Sequence, residues 1–381
     1  MPLSDTDLAD LVRWRRYLHT MPEISGDEHQ TAAAVVRFLD GAAPDAIVTG
    51  LGGTGVAAVF NGAAPGPTVM FRAELDALPI AEISEIAHRS RIAGKGHMCG
   101  HDGHMAILAG LALVFGRARP AKGRVVLLFQ PAEENGAGAA AVLADPKFHS
   151  LKPDFAFALH NMPGIPLGVS WIKEGPANCA SCGLKITFSG KTAHASMPET
   201  GMSPAPAIAA LIPALSALRT GTLAGGDLVL ATVTHVTIGE PAFGIAPGHG
   251  ELWVTLRTVW DADMADLRAL TEDMARAMAA EHGLQVSFSY HDEFGHCVNH
   301  PEAAAIIRRA LEAEGLPHAE GEAFRASEDF GRFGTVAKSA MLFLGAGETH
   351  PALHNPDYDF PDQLIPTGAH IFLAIARDLL G

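Results

Sequence analysis

The segment His97-Met98-Cys99-Gly100-His101-Asp102-Gly103-His104 sets one thiol and three imidazoles within eight residues. In an extended stretch, residues two apart point the same way, so Cys99 and His101 can face a common centre. Gly100 between them leaves room for a tight approach. Farther on, Gln130-Pro131-Ala132-Glu133-Glu134-Asn135 carries a carboxylate pair and His160-Asn161 another imidazole. The late segment Glu348-Thr349-His350-Pro351-Ala352-Leu353-His354-Asn355-Pro356-Asp357 offers two more histidines, and spacing alone does not choose between them. Thiolate, imidazole and carboxylate together form the donor set of borderline transition ions. Taken singly, each has an ordinary reading: a chance Cys-x-His, a solvated Glu-Glu pair, a histidine capping a carbonyl. The abundance of histidine, 19 of 381 residues, already leans toward metal chemistry.

What unites these groups is the kind of element each one follows. Ser4 with Asp7, ahead of Leu8, Leu11, Val12 and Leu18, predicts a capped amphipathic helix, and a second helix is expected from Glu28 to Asp40. Strands are expected at Val56 to Phe60, Thr68 to Arg72, Arg124 to Phe129 and Asp154 to Leu159, with helices at Gly103 to Arg117 and Ala137 to Leu143. Strands alternating with helices imply a mainly parallel sheet flanked by helices, whose ligand site lies beyond the carboxyl ends of the strands. The Glu133-Glu134 pair and His160 follow two such strands, and His350 and His354 follow a third at Ser339 to Leu344.

From about Ala177 the pattern resets: a strand at Leu184 to Phe188, a helix from Pro204 to Leu218, strands at Leu228 to Ile238 and Glu251 to Val259, a helix from Asp263 to Glu281 and a strand at Gln285 to Tyr290. That βαββαβ order is ferredoxin-like. Helix, strand and helix return after Pro301, so the α+β unit reads as an insertion, residues 179–291, into a larger domain made of 1–178 and 292–381.

These residues resemble the M20 metallopeptidase and amidohydrolase family, in particular its hippurate hydrolase, N-acyl amino acid amidohydrolase and auxin-conjugate hydrolase branch. The likeness is carried in chain order by Arg15-Arg16-Tyr17-Leu18-His19 with Pro22-Glu23, Phe71-Arg72-Ala73-Glu74-Leu75-Asp76-Ala77-Leu78-Pro79, the Cys-Gly-His-Asp-Gly-His segment, Pro131-Ala132-Glu133-Glu134, Gly190-Lys191-Thr192-Ala193-His194-Ala195, Ser327-Glu328-Asp329-Phe330 and Leu353-His354-Asn355. The resemblance implies that Cys99, His101, Glu134, His160 and His354 bind metal and that Glu133 is the general base. It further implies that the inserted unit is a lid or dimerisation domain, that His194 reaches toward the active site, and that Arg257 receives the substrate's free carboxylate.

Five protein ligands exceed what one catalytic zinc usually takes, about three with an open position for water. Cys99 as thiolate, Glu133 and Glu134, with one hydroxide, match the charge of two divalent cations. The mixed donors admit zinc or manganese first, cobalt or nickel next. Asp76 and Asp102 are expected to orient the imidazoles from behind. Three positions depart from the family's habit: Glu74 stands where Asp is usual, Gly244 where Asn is usual, and Glu199 where His is more frequent.

The formal charge of −15, from 27 basic and 42 acidic residues, argues against nucleic acid and anionic membranes as partners. No run approaches a membrane span, and the opening residues lack the apolar centre of a secretion signal, which points to the cytoplasm. Four cysteines are too few for a disulfide framework, and Cys179, Cys182 and Cys297 read as buried thiols. The resemblance implies hydrolysis of N-acyl or N-aroyl amino acids by a homodimer acting on a small molecule. Its rivals are a dipeptidase or carboxypeptidase on the same centre, an aminohydrolase releasing ammonia, and a binding protein without turnover.

Overall fold

A computed structural model describes residues 3–381 of the protein. The chain forms two compact units. One runs to Ala177 and takes in Cys297–Glu322 and Asp329–Gly381; the other is Asn178–His296 with a short return, Ala323–Glu328. The sequence reading assigned that return to the larger domain. It clusters with the smaller one because Phe324 bridges Asn178 and the Arg325 carbonyl accepts from Arg257.

The larger unit is built on an eight-stranded sheet in the order Ala46–Leu51, Gly55–Asn61, Lys122–Gln130, Ala64–Glu74, Phe155–Pro163, Lys338–Gly347, Ser170–Ile172, His318–Glu320. The four middle strands are parallel, and antiparallel neighbours flank them on both sides. Near-continuous apolar runs such as Val125–Phe129 and Ala340–Leu344 are what a strand buried on both faces requires, and all these residues are buried. The helix His101–Arg117 is apolar nearly all round and buried along most of its length, as befits a helix enclosed in the core. Leu364–Leu380 packs with it and with the sheet through Ile107, Ala369, Phe372 and Phe71.

At the N-terminus the expected capping box is present: Ser4 Oγ accepts the Asp7 N–H, and Asp7 Oδ2 accepts the Ser4 N–H at 2.8 Å. The edge strand Ala46–Leu51 was not anticipated, because its side chains are mostly half-exposed and carry no alternating signal. A second difference bears on the site. Gly100 is not part of an extended stretch: its φ is +88°, and it caps a helix whose first residue is His101. Cys99 and His101 are brought together by that left-handed turn, which glycine adopts without penalty.

The smaller unit has a five-stranded antiparallel sheet ordered Arg219–Thr220, Val229–Ile238, His249–Thr258, Ala180–Ser189, Gln285–Phe294. With Ala205–Ser216 and Asp261–Glu281 it has the βαββαβ order expected. Burial alternates along His249–Thr258, so Leu252, Val254 and Leu256 join Ile208, Leu211 and Leu267 in one core while the other face meets solvent. Among the described residues, no helix is long and apolar enough to cross a membrane.

Candidate metal centre

The parallel strands Ala64–Glu74, Lys122–Gln130 and Phe155–Pro163 run side by side, with Glu74 opposite Gln130, so their carboxyl ends open onto one edge. On that edge three overlapping groups bring ligand atoms within 4.8 Å of one another: Cys99 with His101 and His160, Cys99 with Glu134 and His354, and His101 with Glu133 and Glu134. Every residue expected to bind metal lies in this set, and so does the expected base.

Each side chain is aimed by its neighbours. His101 Nδ1 donates to the Asp76 carbonyl at 2.8 Å, turning Nε2 toward Glu133 and Glu134 at 3.9 and 3.8 Å. That buried Nε2 has no hydrogen-bond partner. His160 Nδ1 donates to the Asn161 carbonyl at 2.7 Å and presents Nε2 to Cys99 Sγ at 3.4 Å. The two late histidines have different surroundings. His354, at φ +66° and held by its N–H on the Met98 carbonyl, places Nε2 3.6 Å from Glu134, whereas His350 Nε2 donates to the Asp359 carbonyl. His354 is the open side of the cluster, with 52% of its side chain exposed.

Glu133 follows a turn in which Ala132 has φ +49°. Glu28, fully buried, accepts the Ala132 N–H at 2.8 Å and the Thr54 hydroxyl at 2.7 Å, and Gly138 approaches Pro131 so closely that a Cβ would overlap its carbonyl. A residue held in such a conformation is over-determined by its surroundings, a common mark of functional loops.

The electrostatics fit cations. Burial, with the Glu134 and Glu133 carboxylates next, pushes the Cys99 thiol well above its ordinary pKa. Burial works against charge on His101, yet Glu74 and the other carboxylates outweigh it and raise that imidazole to about 10. His160 is driven down to about 3 by burial and then by its histidine neighbours, and His354 is lowered chiefly by burial, so both offer neutral nitrogen. A pocket that must otherwise keep protons on a thiol and an imidazole beside two carboxylates is one that divalent ions satisfy. The orphaned Nε2 of His101 points into it.

Of the two carboxylates expected to orient imidazoles, Asp76 Oδ1 lies 3.6 Å from His101 Nδ1, and Asp102 faces His19, outside the donor cluster. Asp76 serves His101 through its main-chain carbonyl, while its carboxylate accepts the Glu134 N–H at 2.9 Å and the Ser25 hydroxyl at 2.7 Å. Asp102 turns away from the cluster to accept from His19 Nδ1 at 2.8 Å and Arg15 Nη1 at 3.3 Å. Arg15 and His19, four apart on one helix, share its buried face with Leu11 and Leu18. That spacing was the available sign that two polar residues point inward.

In the smaller unit, His194 Nδ1 accepts the Ser196 N–H at 3.1 Å, so the neutral ring carries its proton on Nε2. Arg257 Nη1 donates to the Arg325 carbonyl at 2.8 Å and Ser327 Oγ at 2.9 Å. One face of that guanidinium therefore holds the Ala323–Glu328 return. Cys179, Cys182 and Cys297 are free and buried.

The chain belongs to peptidase family M20/M25/M40, which matches residues 70–378. It is thus an enzyme of the M20 hydrolases. It is 30% identical over 376 residues to the N-acetyl-L-cysteine deacetylase of Bacillus subtilis (strain 168), covering 97% of this chain and 88% of the relative. It is likewise 30% identical over 380 residues to the N-acetyldiaminopimelate deacetylase of Streptococcus uberis, covering 94% and 97%. Among solved structures it resembles the YXEP protein of Bacillus subtilis, described as a dinuclear metal binding peptidase of the M20 family, with a TM-score of 0.82, 25% identity and 99% of each chain covered.

Proposed function

We propose that the protein is a metal-dependent amidohydrolase that cleaves the amide bond of N-acyl or N-aroyl amino acids, giving a carboxylate and a free amino acid. In this reading Cys99, His101, Glu134, His160 and His354 hold two divalent transition ions, zinc or manganese before cobalt or nickel. The observation that carries it is the meeting of these five donors from four distant segments around the unpartnered Nε2 of His101, with Glu133 beside them. A pair of divalent ions held there would supply Lewis acidity toward the scissile carbonyl and the attacking water.

The chain's own groups do the rest. Glu133 takes a proton from the water and hands it to the departing amine, a carboxylate serving first as base and then as acid. His194, with Nε2–H available, donates to the developing oxyanion. Arg257 receives the substrate carboxylate through the N–H groups not engaged by Arg325 and Ser327. Similarity to relatives named for N-acetyl amino acids favours a small acyl group over a peptide. We also propose a cytoplasmic homodimer, with His194 serving either its own subunit or its neighbour.

The test sets hippurate, acetylated amino acids and dipeptides side by side, with elemental analysis at known protein concentration. Hydrolysis of the acylated compounds with two bound ions per chain is expected. Turnover of dipeptides alone would favour the dipeptidase reading, and ammonia without a liberated amino acid would favour an aminohydrolase.

A further inference from the structure

Glu74 and His104 also form a group of ligand type with His101, their donor atoms within 4.8 Å. Both nitrogens of His104 are already committed. Nε2 accepts the Asn161 N–H at 3.2 Å, and Nδ1 lies 2.6 Å from Glu74 Oε2. A backbone N–H can only donate, so the ring proton sits on Nδ1 and points at Glu74. The other Glu74 oxygen pairs with Arg72, which also donates to Gln130 Oε1 at 2.9 Å and Asp329 Oδ1 at 2.7 Å. Glu74, Arg72, Gln130 and Asp329 are all buried, a network in which removing one member strands the charge of the others.

Asn161 is the residue this network grips. Its carbonyl receives His160 Nδ1–H at 2.7 Å, and its amide nitrogen donates to the Tyr358 hydroxyl at 2.6 Å. Its side chain fills the room that Gly100 leaves, where a Cβ would overlap the amide. Asn161 thus touches both halves of the ligand cluster: His160 through its carbonyl, and the Cys99-Gly100-His101 turn through its side chain.

We propose that Glu74 and His104 are positioning residues that fix the Asn161 main chain, and through it hold His160 Nε2 and Cys99 Sγ at their 3.4 Å approach. His104 is not a ligand in this arrangement. The Glu74 carboxylate spans Arg72 and His104, one oxygen to each. The proposal deepens the metal-dependent reading and rests on it.

The test compares wild type with His104→Gln, Glu74→Asp and Glu74→Gln after loading each with cobalt, whose near-ultraviolet thiolate-to-metal absorption reports the Cys99 environment. For His104→Gln and Glu74→Asp the expected result is a shifted and weakened band, cobalt affinity lower by about 10–100-fold, and kcat lower by a similar factor with KM within about threefold. Glu74→Gln, whose amide turns an NH2 donor toward either Arg72 or the His104 Nδ1–H, should lose at least as much as Glu74→Asp. Wild-type spectra and affinities in both His104→Gln and Glu74→Asp would overturn the proposal. Near-UV circular dichroism checks folding, and if His104→Gln does not fold, Glu74→Asp carries the comparison. Should the wild type hydrolyse none of the acylated amino acids, the functional reading fails while the cobalt spectra still decide positioning; should it take up no cobalt, both fall.

Discussion

Cys99 Sγ and His160 Nε2, 61 residues apart in the chain, lie 3.4 Å from each other. The thiol is carried by a left-handed turn before a helix, the imidazole by the end of a parallel strand. Their approach depends on the helix His101–Arg117 packing against the sheet. Cys99→Ser keeps the shape but replaces a soft donor by a hard one. Zinc and cobalt affinity should fall by about 10–100-fold, and manganese affinity by less, since thiolate selects the softer ions. Competition titrations with a chromophoric chelator measure this, and equal losses for all three ions would count against Cys99 as a ligand.

Glu133→Gln removes the proton carrier and leaves the expected ligands in place. A fall in kcat of about 10²–10⁴-fold is expected, with metal content unchanged by elemental analysis. Loss of metal together with activity would instead mark Glu133 as a ligand.

Metal uptake should release protons. Without ions, burial and the carboxylates keep Cys99 protonated, and His101, raised to about 10, carries a proton as well. At pH 7.5 the chelated protein should therefore release about two protons as it loads, and its affinity should weaken as pH falls, since protons compete for the same atoms. An indicator-dye titration in weak buffer reads the count. Uptake without proton release would contradict this electrostatic picture.

His19 links stability to pH on the alkaline side. Burial opposes its charge, but Asp102 and Glu82 outweigh that and raise it to about 9 from 6.5. The charged ring's contribution is therefore fully present below about pH 6.5 and is lost as pH rises through about 9, on the order of a few kcal/mol. The gap in unfolding free energy between wild type and His19→Gln should be widest near pH 6 and narrow toward pH 10. A gap that widens with pH would mean the ring is buried neutral.

Gly100→Ala places a side chain at φ +88° and against the Asn161 amide. Destabilisation of about 1–3 kcal/mol is expected, from strain and overlap together. Denaturant unfolding measures it, and a neutral substitution would show that the turn relaxes without disturbing Asn161.

The α/β alternation, the inserted βαββαβ unit and the candidate donors were legible in the sequence by itself. Apolar periodicity reports which faces are buried, and Cys, His and Glu after strand ends announce ligand chemistry wherever the strands lie. Three-dimensional packing decided what periodicity does not encode. His354 rather than His350 reaches Glu134 because a backbone at φ +66° is held on the Met98 carbonyl. Asp102 serves His19 and not the cluster, because the first turn of a helix sends adjacent side chains in different directions. Glu28 lies 104 residues from the Ala132 N–H it accepts, and Asn161 acts on His160 through a backbone carbonyl. A carbonyl or N–H is the same at every position of the chain, so only the folded path determines which one meets an imidazole.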